Sequence, residues 1–470
     1  MKKQKKIILM IGVCLILLIG AGVLLGDSEQ KSIEKDEKTI LLDTEMNVLE
    51  SIVVENMSGG YCATCEHGEI SINDLDGVPL DSSVISKLKN CLSKIQSERE
   101  VQNGIERLTD FGLDQPSAIV TIKSKQEEFV LMLGDVVPDE KEVRYVEWND
   151  KVYTMEESKV EVFFYDKYTF VSKQITPSYA DGSDDYLVTS VKIEGEQREK
   201  PLEIKLAESQ ELAGYMVNSY ELVSPLQYPA TADIYEQFLT FVFNIEAEEI
   251  VKIRPDSSEI EKYDLKEPYI SAQIIYQDEE ENEKEITLSV SQADEDGNVY
   301  VWKQDPAIIY KCSKETVAWM ESSEESLVSK TIAAPDIRSL QKLEIYDAER
   351  GTFSIEIESE EEESKVFFEN QELQIDNFKN YYYLVISLSA DEVLFDNLPS
   401  VTNMQVSAEI RFVYEDGNRD IVSYYQEGNG KLYATYNNGE KGFRLSASKL
   451  ELVLSDLQRL ISGEKIETRY

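Results

Sequence analysis

Two cysteines and a histidine lie close together in the sequence and could act together as metal ligands. Cys62 and Cys65 are separated by two residues, and His67 follows them closely. Two thiolates at this spacing can chelate one zinc ion, which in structural sites takes four ligands. The second half of such a site is missing, because only Cys91 lies nearby and His67 is the sole histidine of the chain. The sequence therefore predicts no metal site, and it indicates no bound cofactor.

The same cysteines could also form a disulfide. Cys62, Cys65 and Cys91 could pair among themselves or remain free thiols, and the spacing alone does not choose between these outcomes. A thioredoxin-like role needs the Cys-x-x-Cys motif at the start of a helix that follows a strand. Here the motif lies between a Gly-Gly pair and a predicted strand, Glu69 to Asn73, which is the setting of a hairpin.

The sequence contains no recognisable set of catalytic residues. A Ser or Cys nucleophile needs a base beside it, usually a histidine, and His67 stands in the predicted hairpin. The 91 acidic residues bring many carboxylates near each other by number alone, so such pairs say nothing about glycoside hydrolysis. Neither glycine-rich phosphate motif occurs in the chain. We therefore predict that the protein is not an enzyme and has no catalytic residues.

Three acidic stretches and two tyrosine clusters could still bind something. The stretch 294–298 resembles part of a calcium loop but lacks the alternating ligands and the terminal Glu, so a β-turn is favoured. The runs 278–281 and 358–363 stand between predicted strands and indicate solvated hairpin loops. Tyrosines 381–383 and 424–425 are expected mainly in the core. Since three consecutive helical residues point in different directions, at least one of 381–383 should face solvent or a partner.

Charge and composition exclude some partners. The chain has 47 basic and 91 acidic residues and a formal net charge of −44, so its surface repels nucleic acid and anionic lipid headgroups. Hydrophobic residues make up 42%, which is enough for packed cores. The length of 470 residues predicts two to four domains.

The N-terminal segment predicts a membrane anchor. Four lysines precede an uncharged apolar run, Ile7 to Leu25, which as a helix would cover about 28 Å, close to the thickness of the hydrocarbon core. The lysines should stay cytoplasmic, which places the bulk of the chain outside the cell. A cleaved signal peptide is the alternative, although Val23 to Gly26 is a poor cleavage site. We expect a single-pass protein of the cell membrane.

The turns and strands that position these residues recur along the chain. Two segments share an aromatic residue, a leucine and a proline at the same spacing and lead into alternating apolar strands. The residues of these repeat-signature turns are Phe111, Gly112, Leu113 and Pro116 in the first copy, and Tyr263, Leu265 and Pro268 in the second. A third segment keeps the strands, from Val406 to Phe412, and lacks the turn.

Apolar periodicity places a β pair and then a helix at the front of each repeat, with helical runs at 81–94, 233–244 and 376–388. A last strand runs into a shorter helix at the end. The predicted fold class is α+β, with an N-terminal transmembrane helix followed by three tandem β-rich units. The predicted boundaries are 1–26 for the basic start and anchor, 27–44 for a linker, and 45–175, 186–328 and 338–465 for the three units, the last of them divergent.

The first signature turn carries a family resemblance. From Leu108 to Asp135, with Phe111-Gly112-Leu113-x-x-Pro116 and the later Leu133-Gly134-Asp135, the chain resembles the domain-of-unknown-function 4340 family. The second copy departs from the pattern at Asp264, which suggests a changed turn.

The resemblance implies a bacterial protein with one membrane helix and repeated units outside the cell. Members are often encoded beside ABC transporters of the gliding-motility type, which implies ABC transporter membrane subunits as partners. We therefore expect a non-enzymatic accessory or scaffold protein. The alternative is an extracellular module that binds a wall polymer, a peptide or a cation.

Overall fold

The structure of the chain is a computed structural model that forms two compact units. The first unit ends at Ser172 and the second begins at Lys173. The described residues are 38–101, 107–138, 140–178, 186–207, 220–360, 363–395, 398–437, 439 and 441–467. The predicted anchor, Ile7 to Leu25, lies outside them, and so does most of the predicted linker. Across the described ranges, no helix is both long enough and apolar enough to cross a bilayer.

The first unit contains one large antiparallel sheet. Its strands are β1 (Ile40–Asp43), β2 (Leu49–Asn56), β3 (Tyr61–Glu66), β4 (Glu69–Ile72), β5 (Lys94–Gln96), β6 (Arg99–Glu100), β7 (Ala118–Ser124), β8 (Glu128–Val137), β9 (Glu140–Trp148) and β10 (Lys151–Glu156). Eight of them form a sheet in the order β4-β3-β2-β7-β8-β9-β10-β6, while β1 and β5 form a separate pair. The helices are α1 (Ser82–Ser93) and short 3-10 turns at Met46–Val48, Leu108–Phe111, Glu157–Lys159, Glu161–Phe164 and Lys167–Phe170.

The second unit contains two further sheets. The strands of its first sheet are β11 (Leu187–Gly195), β12 (Leu202–Leu206), β13 (Tyr220–Ser224), β14 (Tyr228–Pro229), β15 (Glu249–Ile253), β16 (Ile270–Gln277), β17 (Glu283–Val290), β18 (Asn298–Lys303) and β19 (Ile308–Ser313). Their order is β14-β13-β12-β11-β16-β17-β18-β19-β15. The helical elements here are a π-helix (Tyr235–Leu239), α2 (Thr240–Val242), α3 (Ser257–Lys262), a 3-10 helix (Lys314–Glu321) and α4 (Glu324–Leu327).

The other sheet of this unit has the same plan. Its strands are β20 (Leu340–Asp347), β21 (Gly351–Glu360), β22 (Glu363–Phe368), β23 (Gln371–Leu373), β24 (Glu392–Leu394), β25 (Val406–Tyr414), β26 (Arg419–Gly428), β27 (Lys431–Tyr436) and β28 (Lys441–Ser446). Their order is β23-β22-β21-β20-β25-β26-β27-β28-β24. The helices are α5 (Ile375–Ile386), α6 (Ala447–Ile461) and 3-10 turns at Ile337–Ser339 and Val401–Asn403.

The three large sheets share one strand order. In each, the first strand is hydrogen-bonded to a strand from the second half of the segment, and these central pairs are β2 with β7, β11 with β16, and β20 with β25. A short strand after the main helical segment crosses to the far edge and pairs with the last strand. The first sheet differs only by lacking the additional edge strand that β14 and β23 provide.

A β-bulge recurs at the same place in all three central pairs. The register shifts between Leu49 and Ser51 in β2, between Val188 and Ser190 in β11, and between Leu340 and Lys342 in β20. The residue before each bulge is apolar and at most 2% exposed. Bulges re-aim side chains and increase local twist, so a bulge kept in three copies fixes the same local geometry each time.

One face of each sheet forms a core because apolar residues alternate along the strands. In β7, Val120 and Ile122 are buried while Thr121 between them is half-buried. Helix α1 packs through Leu88 and Leu92, which are fully buried, and it begins where the Asp81 carboxylate accepts hydrogen bonds from the amides of residues 83 and 84. In the third sheet, α5 and α6 pack against each other and bury Tyr381 and Leu457 among others.

The predicted fold class was wrong. The chain is mostly β, with 45% of residues in strands and 23% in helices. The run 233–244 forms a π-helix and one short turn of α-helix, and the segment after β10 forms only 3-10 turns. Valine, phenylalanine and tyrosine crowd that segment and have low helix propensity, so burial of Val162 and Phe163 holds it without a regular helix.

Two further predictions from the sequence concern the closing helix of the third segment and a strand of the second. The closing helix of the third segment, α6, has 15 residues and exceeds the 12 of α5, so the prediction of a shorter final helix is wrong there. A strand expected at Tyr215 to Asn218 lies outside the described residues. The division into units at 45–175, 186–328 and 338–465 stays a prediction.

A polar side chain ties the first hairpin of each sheet to the helical segment that follows its last strand. Asn56 donates from Nδ2 to the carbonyls of Phe163 and Tyr165, at 2.9 and 2.8 Å. In the second sheet the residue is Arg198, which donates to Glu324 at 2.8 Å and to the carbonyls of Met320 and Ser322. In the third sheet, Arg350 donates to Glu451 at 2.9 Å. We call these contacts the hairpin ties.

Replacing Arg198, the better buried of the two arginine ties, should destabilise the second unit. The Arg198 side chain is 11% exposed, so Arg198→Ala removes a charge-assisted hydrogen bond and leaves two backbone acceptors poorly satisfied. We expect a loss of about 2–3 kcal/mol in the free energy of unfolding, measured by urea denaturation. Arg338→Ala is the control, because that side chain is 83% exposed and should change stability by less than about 1 kcal/mol. Equal effects of the two changes would contradict a structural role for the tie.

Candidate functional site

The structure separates the residues that could have formed a thiol or metal site. Cys62 and Cys65 both lie on β3, where alternation leaves Cys62 exposed and buries Cys65. Cys91 lies on α1 and Cys312 on β19, and all four are free thiols. In this structure, Cys62, Cys65 and Cys91 therefore form no disulfide with one another. No group of three or more Cys, His, Asp or Glu side chains in the described ranges could hold a metal ion.

His67 occupies a tight turn. It lies between β3 and β4 with a φ of 54°, and Gly68 after it has a φ of 85°. Two successive positive φ values define the hairpin turn whose twist matches that of antiparallel strands. The His67 side chain is exposed. Its position is therefore explained by the turn.

The acidic stretches use their carboxylates to shape hairpins. Asp294 accepts hydrogen bonds from the amides of Asp296 and Asn298 at 3.0 and 2.8 Å, and these bonds lower the pKa of its carboxyl. Asp278 accepts from the amides of Glu280 and Asn282 in the same way. Both groups are Asx turns between paired strands, in agreement with the β-turn predicted at 294–298 and the hairpin loop predicted at 278–281.

The tyrosine cluster on α5 contributes mainly to the core. Tyr381 is fully buried, and Tyr382 is buried and donates to the Pro335 carbonyl at 2.7 Å. Tyr383 is 48% exposed. One of the three consecutive tyrosines therefore faces solvent, as the helical geometry predicted. Tyr424 and Tyr425 are both buried.

The signature turns adopt one backbone form in both copies. Gly112 has a φ of 67°, and the Leu113 amide donates to the Leu108 carbonyl at 3.0 Å. Asp264 has a φ of 55°, and the Leu265 amide donates to the Ile260 carbonyl at 3.0 Å. The expectation of a changed turn at Asp264 is therefore wrong for the backbone.

The side chains of these turns also occupy matching places. Leu113 and Leu265 are 2% and 1% exposed. The Phe111 ring lies edge-on to Tyr145 of β9, with centroids 4.9 Å apart, and the Tyr263 ring lies against Tyr300 of β18 at 4.5 Å. The prolines stand two residues before a central strand, at Pro116 before β7 and Pro268 before β16. Each turn thus anchors the entry of the chain into the middle of its sheet.

A cleft in the first unit contains lysines whose charges are neutralised. Its volume is about 390 Å³, and Lys87 and Lys159 line it. Lys87 pairs with Glu161 at 2.9 Å, and Lys159 pairs with Glu98 at 2.5 Å. The Cys91 thiol donates to the Lys159 carbonyl at 3.1 Å, and burial raises its pKa to about 12. The charges of Lys87 and Lys159 are therefore paired within the protein, and the Cys91 thiol is not a reactive thiolate at neutral pH.

Another cleft lies in the second unit, beside the hairpin tie of its first sheet. It has a volume of about 700 Å³, which is within the usual range for ligand sites. Gln197 and Arg198 form one wall, the 321–324 segment forms another, and Tyr269, Pro225 and Phe395 supply apolar surface. These residues come from the β11–β12 turn, the signature turn, the closing segment and the end of β24.

A chain of polar contacts runs through Tyr269. The Gln197 side-chain amide donates to the Tyr269 hydroxyl at 2.5 Å, and that hydroxyl donates to the Glu321 carboxylate at 3.4 Å. Glu321 also pairs with Lys314 at 3.2 Å. The polar groups of the cleft are therefore connected to one another.

Sequence reasoning missed this cleft. Tyr269 directly follows the signature residue Pro268, which was the only available signal. Gln197, Glu321 and Phe395 come from distant segments that no motif connects. Their approach depends on the strand order of the sheet and on packing within the second unit.

The fold defines a mostly β protein, built from large antiparallel sheets of one strand order with short helices against them. The chain belongs to the family described as Domain of unknown function (DUF4340), whose model matches residues 71–211 and 221–405. The resemblance seen at the first signature turn is thereby confirmed. No curated protein and no solved structure matches the chain.

Charge placed at the signature leucines should unfold the sheets that they anchor. Leu113→Asp or Leu265→Asp buries a carboxylate without a partner and removes apolar packing, so we expect a loss of about 3–5 kcal/mol in the free energy of unfolding. Thermal and urea denaturation would measure it. Leu108→Asp is the matched control, because Leu108 belongs to the same turn and is 37% exposed. An unchanged melting profile for both leucine variants would argue against the anchoring role.

The four described thiols should differ in reactivity. Exposed Cys62 should react with maleimide within minutes at pH 7.5, buried Cys65 and Cys312 should stay unmodified until the protein is denatured, and Cys91, which is partly buried, should react far more slowly than Cys62. Because the pKa of Cys91 is raised to about 12, its thiolate fraction should grow about tenfold for each pH unit below that value. Peptide mass spectrometry after timed labelling would follow each site. Equal labelling rates at Cys62 and Cys65 would contradict the strand alternation.

Proposed function

We propose that the protein is a non-enzymatic accessory or scaffold protein, attached to the cell membrane with its bulk outside the cell. The repetition of one strand order in three sheets is the observation that carries the proposal. Repeated folds present large, similar surfaces to partners, and a site for chemistry is not needed to explain why the unit is copied. Cys62 and Cys65 face opposite sides of β3 and His67 occupies the turn that follows, which supports a role without catalysis.

The membrane attachment rests on the sequence. Ile7 to Leu25 is uncharged and apolar and follows four lysines, which favours insertion with the lysines on the cytoplasmic side. The family resemblance adds ABC transporter membrane subunits as the proposed partners, or another complex of the cell envelope. The high negative charge favours a role in the aqueous exterior over contact with anionic lipid headgroups.

Ligand binding outside the cell is a second candidate function. The observation that favours it is the cleft of about 700 Å³ in the second unit, with its polar groups already connected through Tyr269. A wall polymer, a peptide or a cation are the ligand classes to consider. The two candidate functions are compatible, since an accessory protein can also hold a ligand.

Attachment and partners can be tested together in intact cells. The full-length protein should be found in the membrane fraction, be degraded by protease added outside, and crosslink to membrane proteins. Its mass should include Met1 to Leu25.

The double change Leu17→Arg and Leu18→Arg should release the protein from the membrane, because each charge costs about 2.5–3.5 kcal/mol at the centre of a bilayer. The matched control, Leu17→Ile with Leu18→Ile, should remain attached. A cytosolic full-length protein would overturn the proposed location, and a mature chain that starts near Asp27 would overturn the anchor.

A further inference from the structure

We infer that the cleft around Tyr269 is a binding groove for an uncharged oligosaccharide chain. This inference rests on the second candidate function and names its ligand class. It depends on three features of the described residues: the continuity of the cleft, its charge balance, and the arrangement of its aromatic and polar groups.

A second cavity borders the cleft. Its volume is about 150 Å³, and both cavities are lined by Tyr269, Ile270 and Glu321. These three residues therefore form a common boundary of two neighbouring spaces that a single extended molecule could occupy. A groove with this form suits a chain of repeating units better than one compact small molecule.

Charges in the groove are balanced within the protein. Arg198 pairs with Glu324 at 2.8 Å, and Glu321 pairs with Lys314 at 3.2 Å. Glu199 and Lys200, of opposite sign, are exposed at the rim. The ligand that meets these walls therefore needs no net charge, and the formal charge of −44 on the whole chain disfavours an anionic polymer.

The groups that remain available fit sugar rings. A pyranose ring has an apolar C–H face that stacks on aromatic rings and an edge of hydroxyl groups that both donate and accept hydrogen bonds. Tyr269 and Phe395 offer aromatic surface, while the second N–H of the Gln197 amide and the remaining lone pairs of the Glu321 carboxylate offer a donor and an acceptor beside it. Alternating donor and acceptor groups next to an aromatic ring match that mixed surface.

A peptide fits the groove less well. Extended peptides commonly bind by adding a strand to an open sheet edge, where backbone groups are free. In this wall, Gly195 of β11 and Ile270 of β16 are paired with each other, and Ile270 also pairs with Val290 of β17. Both strands lie inside the sheet. The backbone is therefore already engaged, and recognition falls to side chains.

Calorimetric titration of the full-length protein with chitohexaose tests the inference, with hexalysine and Ca²⁺ as the peptide and cation probes. We expect the wild-type protein to bind chitohexaose. Tyr269→Ala, which removes both the ring and the hydroxyl, should weaken binding at least about tenfold. Tyr269→Phe keeps the ring and should weaken it by less. Tyr383→Ala is the matched control, because Tyr383 is an exposed tyrosine of α5 that does not line the groove, and its binding should equal that of wild type.

Each outcome of these titrations either supports or overturns the inference. Chitohexaose binding that depends on Tyr269 and survives Tyr383→Ala supports the inference, provided that circular dichroism shows the variants folded. Chitohexaose binding that Tyr269→Ala leaves intact overturns it. Hexalysine or Ca²⁺ binding without chitohexaose binding also overturns it but keeps the ligand-binding function. Binding of none of the three probes overturns both.

Discussion

The central strand pair is the constraint on which each sheet depends. The front half of a sheet and its back half are joined only where the first strand meets a strand that comes much later in the chain, as where Val53 of β2 pairs with Thr121 of β7. The bulge at the start of β2, β11 and β20 fixes how that pair twists, and in the first two sheets the signature turn fixes how the later strand enters the pair. The helical segment, the crossing edge strand and the hairpin tie all follow from closing this pair.

The parts of the fold that could be read from the sequence are those with local causes. Alternation of apolar residues gave the strands, and the spacing of Leu113 and Pro116, repeated at Leu265 and Pro268, gave the turns. The α+β class was wrong because an apolar run such as 233–244 can be satisfied by a π-helix held through the burial of Phe238 and Leu239. The cleft was missed because Gln197, Tyr269 and Glu321 meet only through long-range strand pairing.

The hairpin ties show why sequence similarity between the copies is low where structure is similar. Asn56, Arg198 and Arg350 differ in length and charge, yet each links a first hairpin to the closing segment. Any side chain that donates a hydrogen bond and is long enough to reach a carbonyl or carboxylate on that segment can form the tie. The ties are therefore chemically exchangeable, whereas the turns before β7 and β16 keep one backbone form together with the spacing of their leucine and proline.

The two signature turns show what such an exchange requires. In the first copy, a Cβ on Gly112 would lie 2.4 Å from the Asp135 carboxyl carbon, and a Cβ on Gly134 would lie 2.2 Å from the Phe111 carbonyl. Both glycines therefore allow a close approach of β8 to the turn. In the second copy, Asp264 keeps the left-handed backbone, and Ser291, which stands where Gly134 does, accepts a hydrogen bond from the Tyr300 amide at 2.9 Å. A serine at this place needs the space that the first copy closes, and the backbone turn is kept because aspartate is among the few residues that tolerate a positive φ.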